Sequence, residues 1–225
     1  ALHDAADRGV HVRILVDGME SWIDMEGNPY FYGLSSHENV EIKLYNKANP
    51  LKPWKTMGRM HDKYLIADGK IYILGGRNTY NYFLGDFPGH KNFDRDVLVV
   101  CDEPQKDNSV NQLWNYFETI WEQEDCRYFH NSKKLADRQS VKKAVLELQE
   151  GYQQYFEVNK EKICDTDYAD ETFETEKITL LSNPIHTQAK EPVVWYQLGE
   201  LMKNAKERVK IHTPVSYTHL TLPTN

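Results

Sequence analysis

Between residues 61 and 78 the chain gathers an imidazole, an ammonium and a carboxamide at short spacing: His61, Lys63 and Asn78, with Asp68 and the pair Gly75-Gly76 between them. Alternate side chains of an extended strand share a face, so His61 and Lys63 point one way while Tyr64, Ile66 and Asp68 point the other. An imidazole beside an ammonium makes a site for an anion, and Asn78 can donate an amide hydrogen bond into the same space. The two glycines remove side chains where the backbone must turn or approach something closely. These groups are positioned by an expected β-hairpin. Residues 64–67 and 71–74 are β-branched and aromatic runs, and Asp68-Gly69-Lys70 between them carries the Asp-Gly turn signal. A lone histidine on a strand is most often merely solvated. The weight therefore rests on the joint pattern.

That pattern resembles the HxK(x4)D(x6)G(G/S)xN signature of the phospholipase D superfamily, and it is matched at all six fixed positions. The resemblance implies phosphodiester chemistry that needs no metal and no cofactor. One histidine attacks phosphorus and forms a phosphohistidine; a second protonates the leaving alcohol and then activates the acceptor. Lysine and asparagine hold the non-bridging oxygens. Carried over by position, His61, Lys63 and Asp68 form the catalytic set, with His61 as nucleophile or general acid. Lys63, Asn78, Gly75, Gly76 and Arg77 surround the phosphate. Asp68, on the opposite strand face, suits a structural role better. The family requires two such motifs, and none of the other histidines (His3, His11, His37, His90, His130, His186, His212, His219) has Lys two residues on. The chain thus carries half a site. The other half is expected beyond residue 214 of a longer protein, or from a second copy across a two-fold axis, and the isolated chain is expected to be inactive.

A reacting histidine usually needs a carboxylate to fix its tautomer. Residues 92–101 read as a strand that brings Asp94 and Asp96 to one face, and the family takes its carboxylate from such a strand. Asp96 is placed slightly ahead of Asp94, with an ion pair to Arg95 or Lys91 as the alternative. Asp17 ends a strand expected over residues 10–17 and either reaches the crevice or caps the next turn. A helix over residues 1–8 stops at Gly9 and feeds that strand, the αβ rhythm of a sheet with helices packed on it. Residues 79–84 read as a short helix whose amino end faces the anion. Residues 109–122 place Leu113, Phe117, Ile120 and Trp121 at helical spacing, a core stripe.

The fold class is α/β. The resemblance implies a phospholipase D-like lobe, a mixed sheet flanked by helices on both faces, followed by the start of a similar second lobe. The expected divisions are 1–130 for the first lobe, 131–176 for a charged helical segment and acidic linker, 177–214 for the start of the second lobe, and 215–225 for a non-native tail. Strands are expected over residues 177–182 and 208–213, with a helix over 192–207 between them.

A formal net charge of −7 disfavours nucleic acid as partner, because such binding needs a basic field. Residues 46–60 run against that charge, with Lys47, Lys52, Lys55, Arg59 and Trp54 and no acidic residue. Such a loop either meets phospholipid headgroups at a membrane surface or is a solvated loop whose Trp54 covers the core. The three cysteines, Cys101, Cys126 and Cys164, show neither metal nor disulfide spacing. The block around the hairpin most resembles bacterial cardiolipin synthases. Its implied activity is transfer of a phosphatidyl group, with phosphatidylglycerol as substrate. A phospholipase D or nuclease-type hydrolase is the alternative, and a non-catalytic phosphate-binding lobe the second. The implied location is the bacterial cytoplasmic membrane, held peripherally or by a segment outside this chain.

Overall fold

The computed structural model describes residues 1–47, 49, 51–79, 83, 88–89, 91–101, 107–184 and 191–211. Most of the helix expected over residues 79–84, and all of the tail 215–225, fall outside them.

The chain begins αβ, as its periodicity dictates. Helix α1 (Leu2–Asp7) ends before Gly9 at φ +90°, and strand β1 (Val12–Asp17) follows. A short turn of helix, α2 (Gly18–Glu20), runs into a wider turn at Ser21–Met25, then α3 (Pro29–Ser35) leads to β2 (Val40–Tyr45). Strand β2 lies parallel to β1, and β6 (Cys126–Tyr128) lies antiparallel on its other side. Side chains alternate across this sheet. Val12, Ile14, Val16, Val40, Ile42 and Leu44 form one core with Ala6, Met25, Tyr32, Phe129 and Val141. Helix α6 (Gln139–Lys160) contributes Val141 to this core and packs on α3, where a Cβ on Gly33 would meet the Val145 side chain at 2.6 Å.

The predicted hairpin is present as β3 (Tyr64–Ala67) and β4 (Ile71–Gly75), and β5 (Asp96–Val100) extends it into an antiparallel meander. At its tip Asp68 has φ 52° and Gly69 φ 66°, and Lys70 N–H bonds Ala67 O at 3.0 Å. Two successive left-handed residues make a primed turn, whose twist matches the strands it joins. The mixed α/β architecture is as expected, but among the described residues it is built from two three-stranded sheets, β1-β2-β6 and β3-β4-β5, instead of one.

Helix α4 (Ser109–Trp121) links the two sheets. Val110 and Leu113 pack with Tyr72, Ile66, Leu74 and Val99, while Ile120 packs with Tyr45, Cys126, Leu15 and Met60; Tyr116 belongs to both clusters. Charges line the same helix. Arg13 makes a forked ion pair with Glu118 and lies 5.1 Å from the centroid of Phe117, and the Lys43 ammonium donates to Trp121 O at 2.8 Å. These cations are covered by aromatic rings and bonded at their tips, so their burial is compensated.

The described chain divides into two compact units, Ala1–Leu180 and a smaller one that holds Leu181–Pro184 and helix α7 (Val193–Asn204). The helix expected over 192–207 is α7, but neither flanking strand forms among the described residues 177–182 and 208–211. A strand needs a neighbour to bond to, and no ladder reaches these segments.

Candidate functional site

The site lies at the open end of the β3–β4 pair. The ladder continues one step past Tyr64 and Leu74 through Gly75 N–H to Lys63 O at 3.1 Å. Gly75 also pairs with Asp96 on β5. Lys63, Gly75 and Asp96 therefore form a row across three strands, and paired residues share a face. The ladder ends there, and His61, Arg77 and Asn78 lie just past its last bond. The His61 imidazole is exposed and has no hydrogen-bond partner among the described residues. Asn78 is half-buried. The Lys63 ammonium folds back to donate to His61 O at 2.6 Å. Burial holds its pKa below the ordinary lysine value, against the opposing pull of Asp62 and Asp94.

The other expected residues are placed differently. Asp68 sits in the turn at the far end of β3, about 13 Å of strand from the open end. The Asp96 carboxylate accepts Arg77 Nε at 2.6 Å, and no bond from it or from Asp94 to His61 occurs among the described residues. Asp94 lies just before β5, not within it, and its carboxylate is the one felt by Lys63. Arg77 also donates to Phe83 O at 2.7 Å and to Asp94 O at 3.1 Å. With its charge matched by Asp96 and three of its five donors committed, Arg77 is a staple between β4 and the entry to β5. The glycines make room for these carboxylates: a Cβ on Gly75 would lie 1.8 Å from Asp96 Oδ1, and one on Gly76 2.5 Å from Asp94 Oδ1.

Asp17 takes the capping alternative and more. Its Oδ1 accepts Met19 N–H at 2.9 Å and Glu20 N–H at 3.2 Å, capping α2. The same oxygen accepts Arg59 Nε at 2.8 Å, and Oδ2 accepts Met60 N–H at 2.9 Å. One residue beyond His61, Asp62 Oδ2 accepts the Tyr116 hydroxyl at 2.6 Å. Burial, reinforced by Asp62, raises the Tyr116 phenol well above its ordinary pKa and keeps it a donor. Beneath the segment the buried Tyr45 phenol is pushed up to about 12, chiefly by burial. Sequence reasoning missed the Asp62–Tyr116 contact, which has no local signal. The Asp17 cap was legible in Asp17 followed three residues later by Glu20.

The basic loop is tied down. Asn46 Nδ2 donates to Lys55 O at 2.6 Å and to Gly58 O at 2.8 Å. Lys47 pairs with Glu26, Lys55 with Asp125, and Arg59 with Asp17 and Glu20, so the loop is far less positive than its composition suggests. Its apolar tip is free to meet other surfaces: Leu51 is 85% exposed and Trp54 71%. No helix among the described residues is long and apolar enough to cross a membrane.

The family described as cardiolipin synthase, PLD-like domain matches residues 1–121. Uncharacterized proteins from two strains of Helicobacter pylori are each 32% identical over 133 residues, 53% of this chain and 26% of theirs. Cardiolipin synthase C of Escherichia coli K12 is 30% identical over 114 residues, 44% of this chain and 22% of that protein. The chain spans about a quarter of the length of the curated relatives it matches.

Proposed function

The chain belongs to the cardiolipin synthase family of phospholipase D-like domains, and from that premise we propose that it supplies one half of a phosphatidyltransferase site. His61 is the reacting group. As nucleophile, its ring nitrogen forms a bond to the phosphorus of a phospholipid diester, and the bond to the leaving alcohol breaks. A histidine from a second lobe or a second copy protonates that alcohol. It then takes the proton of the incoming alcohol, whose oxygen displaces His61 and restores the diester. As general acid, His61 exchanges parts with that partner. Lys63 and Asn78 hold the non-bridging oxygens, where a cation and an amide donor stabilise the charge that builds up. Phosphatidylglycerol fits as substrate, and the exposed Leu51 and Trp54 fit a membrane-surface contact beside the site.

The observation that carries this reading is the exposed His61 imidazole, without a hydrogen-bond partner among the described residues, at the open end of the hairpin, where the Lys63 ammonium folds back onto the His61 carbonyl. Tungstate, a tetrahedral oxyanion like phosphate, tests it by calorimetric titration of the purified chain. Binding that disappears in His61→Ala and weakens in Asn78→Ala supports a phosphate site. Binding of the same strength in His61→Ala overturns it.

A further inference from the structure

We propose that Asp17 and Tyr116 are positioning residues for His61, gripping the chain on either side of it. The inference rests on the reading of His61 as the reacting group. Because the imidazole makes no hydrogen bond among the described residues, its place is set by the backbone that carries it. That backbone is held from two directions. On the amino side, Asp17 Oδ2 accepts Met60 N–H at 2.9 Å, and the Met60 side chain packs with Leu15, Tyr45 and Ile120. On the carboxyl side, Asp62 accepts the Tyr116 hydroxyl at 2.6 Å. Asp17 closes β1 and Tyr116 is the residue of α4 that packs in both clusters. The grip thus ties the motif of one sheet to the strand end of the other.

Capping alone does not explain Asp17. A cap uses one oxygen, and Oδ1 serves α2 here, while Oδ2 is given to Met60. The carboxylate is only 7% exposed, and four donors converge on it. Nor is the Tyr116 hydroxyl needed to fill space, since the ring already packs against Met60 and stands 6.2 Å from Tyr64, centroid to centroid.

Two substitutions separate the grip from the packing. Asn caps as well as Asp but has one acceptor oxygen and no charge, so Asp17→Asn keeps the cap and loses the Met60 bond and the charge that matches Arg59. Tyr116→Phe keeps the ring and removes the hydroxyl. Each is expected to weaken tungstate binding about tenfold, and to shift the His61 ring resonances in the ligand-free protein. Tyr30→Phe, which removes a remote hydroxyl bonded to Glu147, is expected to change neither. Loss of affinity in both variants with an unmoved Tyr30→Phe control supports the grip. Wild-type affinity in both, while His61→Ala abolishes binding, overturns the grip and leaves the phosphate site standing. Tungstate binding unaffected by His61→Ala removes the phosphate site and the grip together. If Asp17→Asn does not fold, Tyr116→Phe decides by the same criteria.

Discussion

Replacing Gly75 by alanine should be far more damaging than the same change at Gly76, although the residues are neighbours in sequence. A Cβ on Gly75 would lie 1.8 Å from Asp96 Oδ1, 2.7 Å from its Cγ and 2.8 Å from its Cα. The side-chain contacts can open only by driving Asp96 off Arg77, and the last belongs to the backbone of β5. Losing a charge-assisted hydrogen bond costs about 1.5–3 kcal/mol; with Arg77 35% exposed the lower end applies. Overpacking adds about 1–3 kcal/mol. Stiffening the unfolded chain returns about 0.5 kcal/mol. The net loss is about 2–4 kcal/mol, a fall of about 1–2 M in urea midpoint for a slope of about 2 kcal/mol per M. At Gly76 the three atoms nearest the new Cβ all belong to the Asp94 carboxylate, its nearest oxygen at 2.5 Å and its Cγ at 3.0 Å. That group can rotate away for about 1 kcal/mol, most of which the unfolded-state term offsets. Urea unfolding followed by tryptophan fluorescence measures both. In an Asp96→Ala background the Gly75→Ala penalty should fall by at least half, leaving the backbone contact. Equal midpoints for the two alanine variants, or an undiminished penalty without Asp96, would refute the steric reasoning.

Two further predictions concern pH. Lys63 binds an oxyanion only as an ammonium, and burial sets its pKa below 10.5. Tungstate affinity should therefore hold at neutral pH and decline on the alkaline side earlier than an ordinary lysine would allow; in Lys63→Arg, whose guanidinium stays charged, a pH series of titrations should lose that decline. Glu118 is held below the usual carboxylate range by the Arg13 hydrogen bond, against burial. Its folded pKa lies below its unfolded one, so its contribution is complete above about 4.5 and disappears as pH falls through the lowered value. With Glu118 34% exposed, screening limits that contribution to about 0.5–1 kcal/mol. Glu118→Gln should lose about that much stability at neutral pH and flatten the acid limb of a urea-midpoint series by the same amount.

What could be read from the sequence was local. The hairpin follows from alternating apolar residues and an Asp-Gly turn, and Asp68 and Gly69 take the left-handed conformations that signal requires. Helix α4 follows from an aromatic stripe at helical spacing. Composition overstates the charge of the 46–60 loop, because three of its four cations are paired with Glu26, Asp125, Asp17 and Glu20, residues distant in sequence that no local pattern pairs with it. By residue type and spacing Asp96 goes to His61, or to an ion pair with Arg95 or Lys91, and Arg77 goes to the phosphate. Cross-strand register assigns them to one another, and register depends on where β5 docks against β4. The strands expected over 177–182 and 208–213 have suitable residues but no strand partner among the described residues, and a strand is a property of the pair.

The two sheets also explain why a short motif needs a long chain. His61, Lys63 and Gly75-Gly76 need only the hairpin to come together, and a hairpin alone is marginal in water. Its core face is covered by Val110 and Leu113 at one end of α4, whose other end is seated on the mixed sheet β1-β2-β6 through Ile120. Between those anchors Tyr116 reaches Asp62, and from the mixed sheet Asp17 reaches Met60. Any change that shifts one sheet against the other must therefore break a bond beside His61 or move His61 with it. Stability and phosphate affinity should fall together for substitutions along α4, at Ile120 as much as at Tyr116, even though Ile120 lies wholly inside the protein. A truncation of Ile120 to Val that lowers stability yet leaves tungstate affinity untouched would show that the hairpin holds His61 by itself, and that the second sheet is scaffolding for something else.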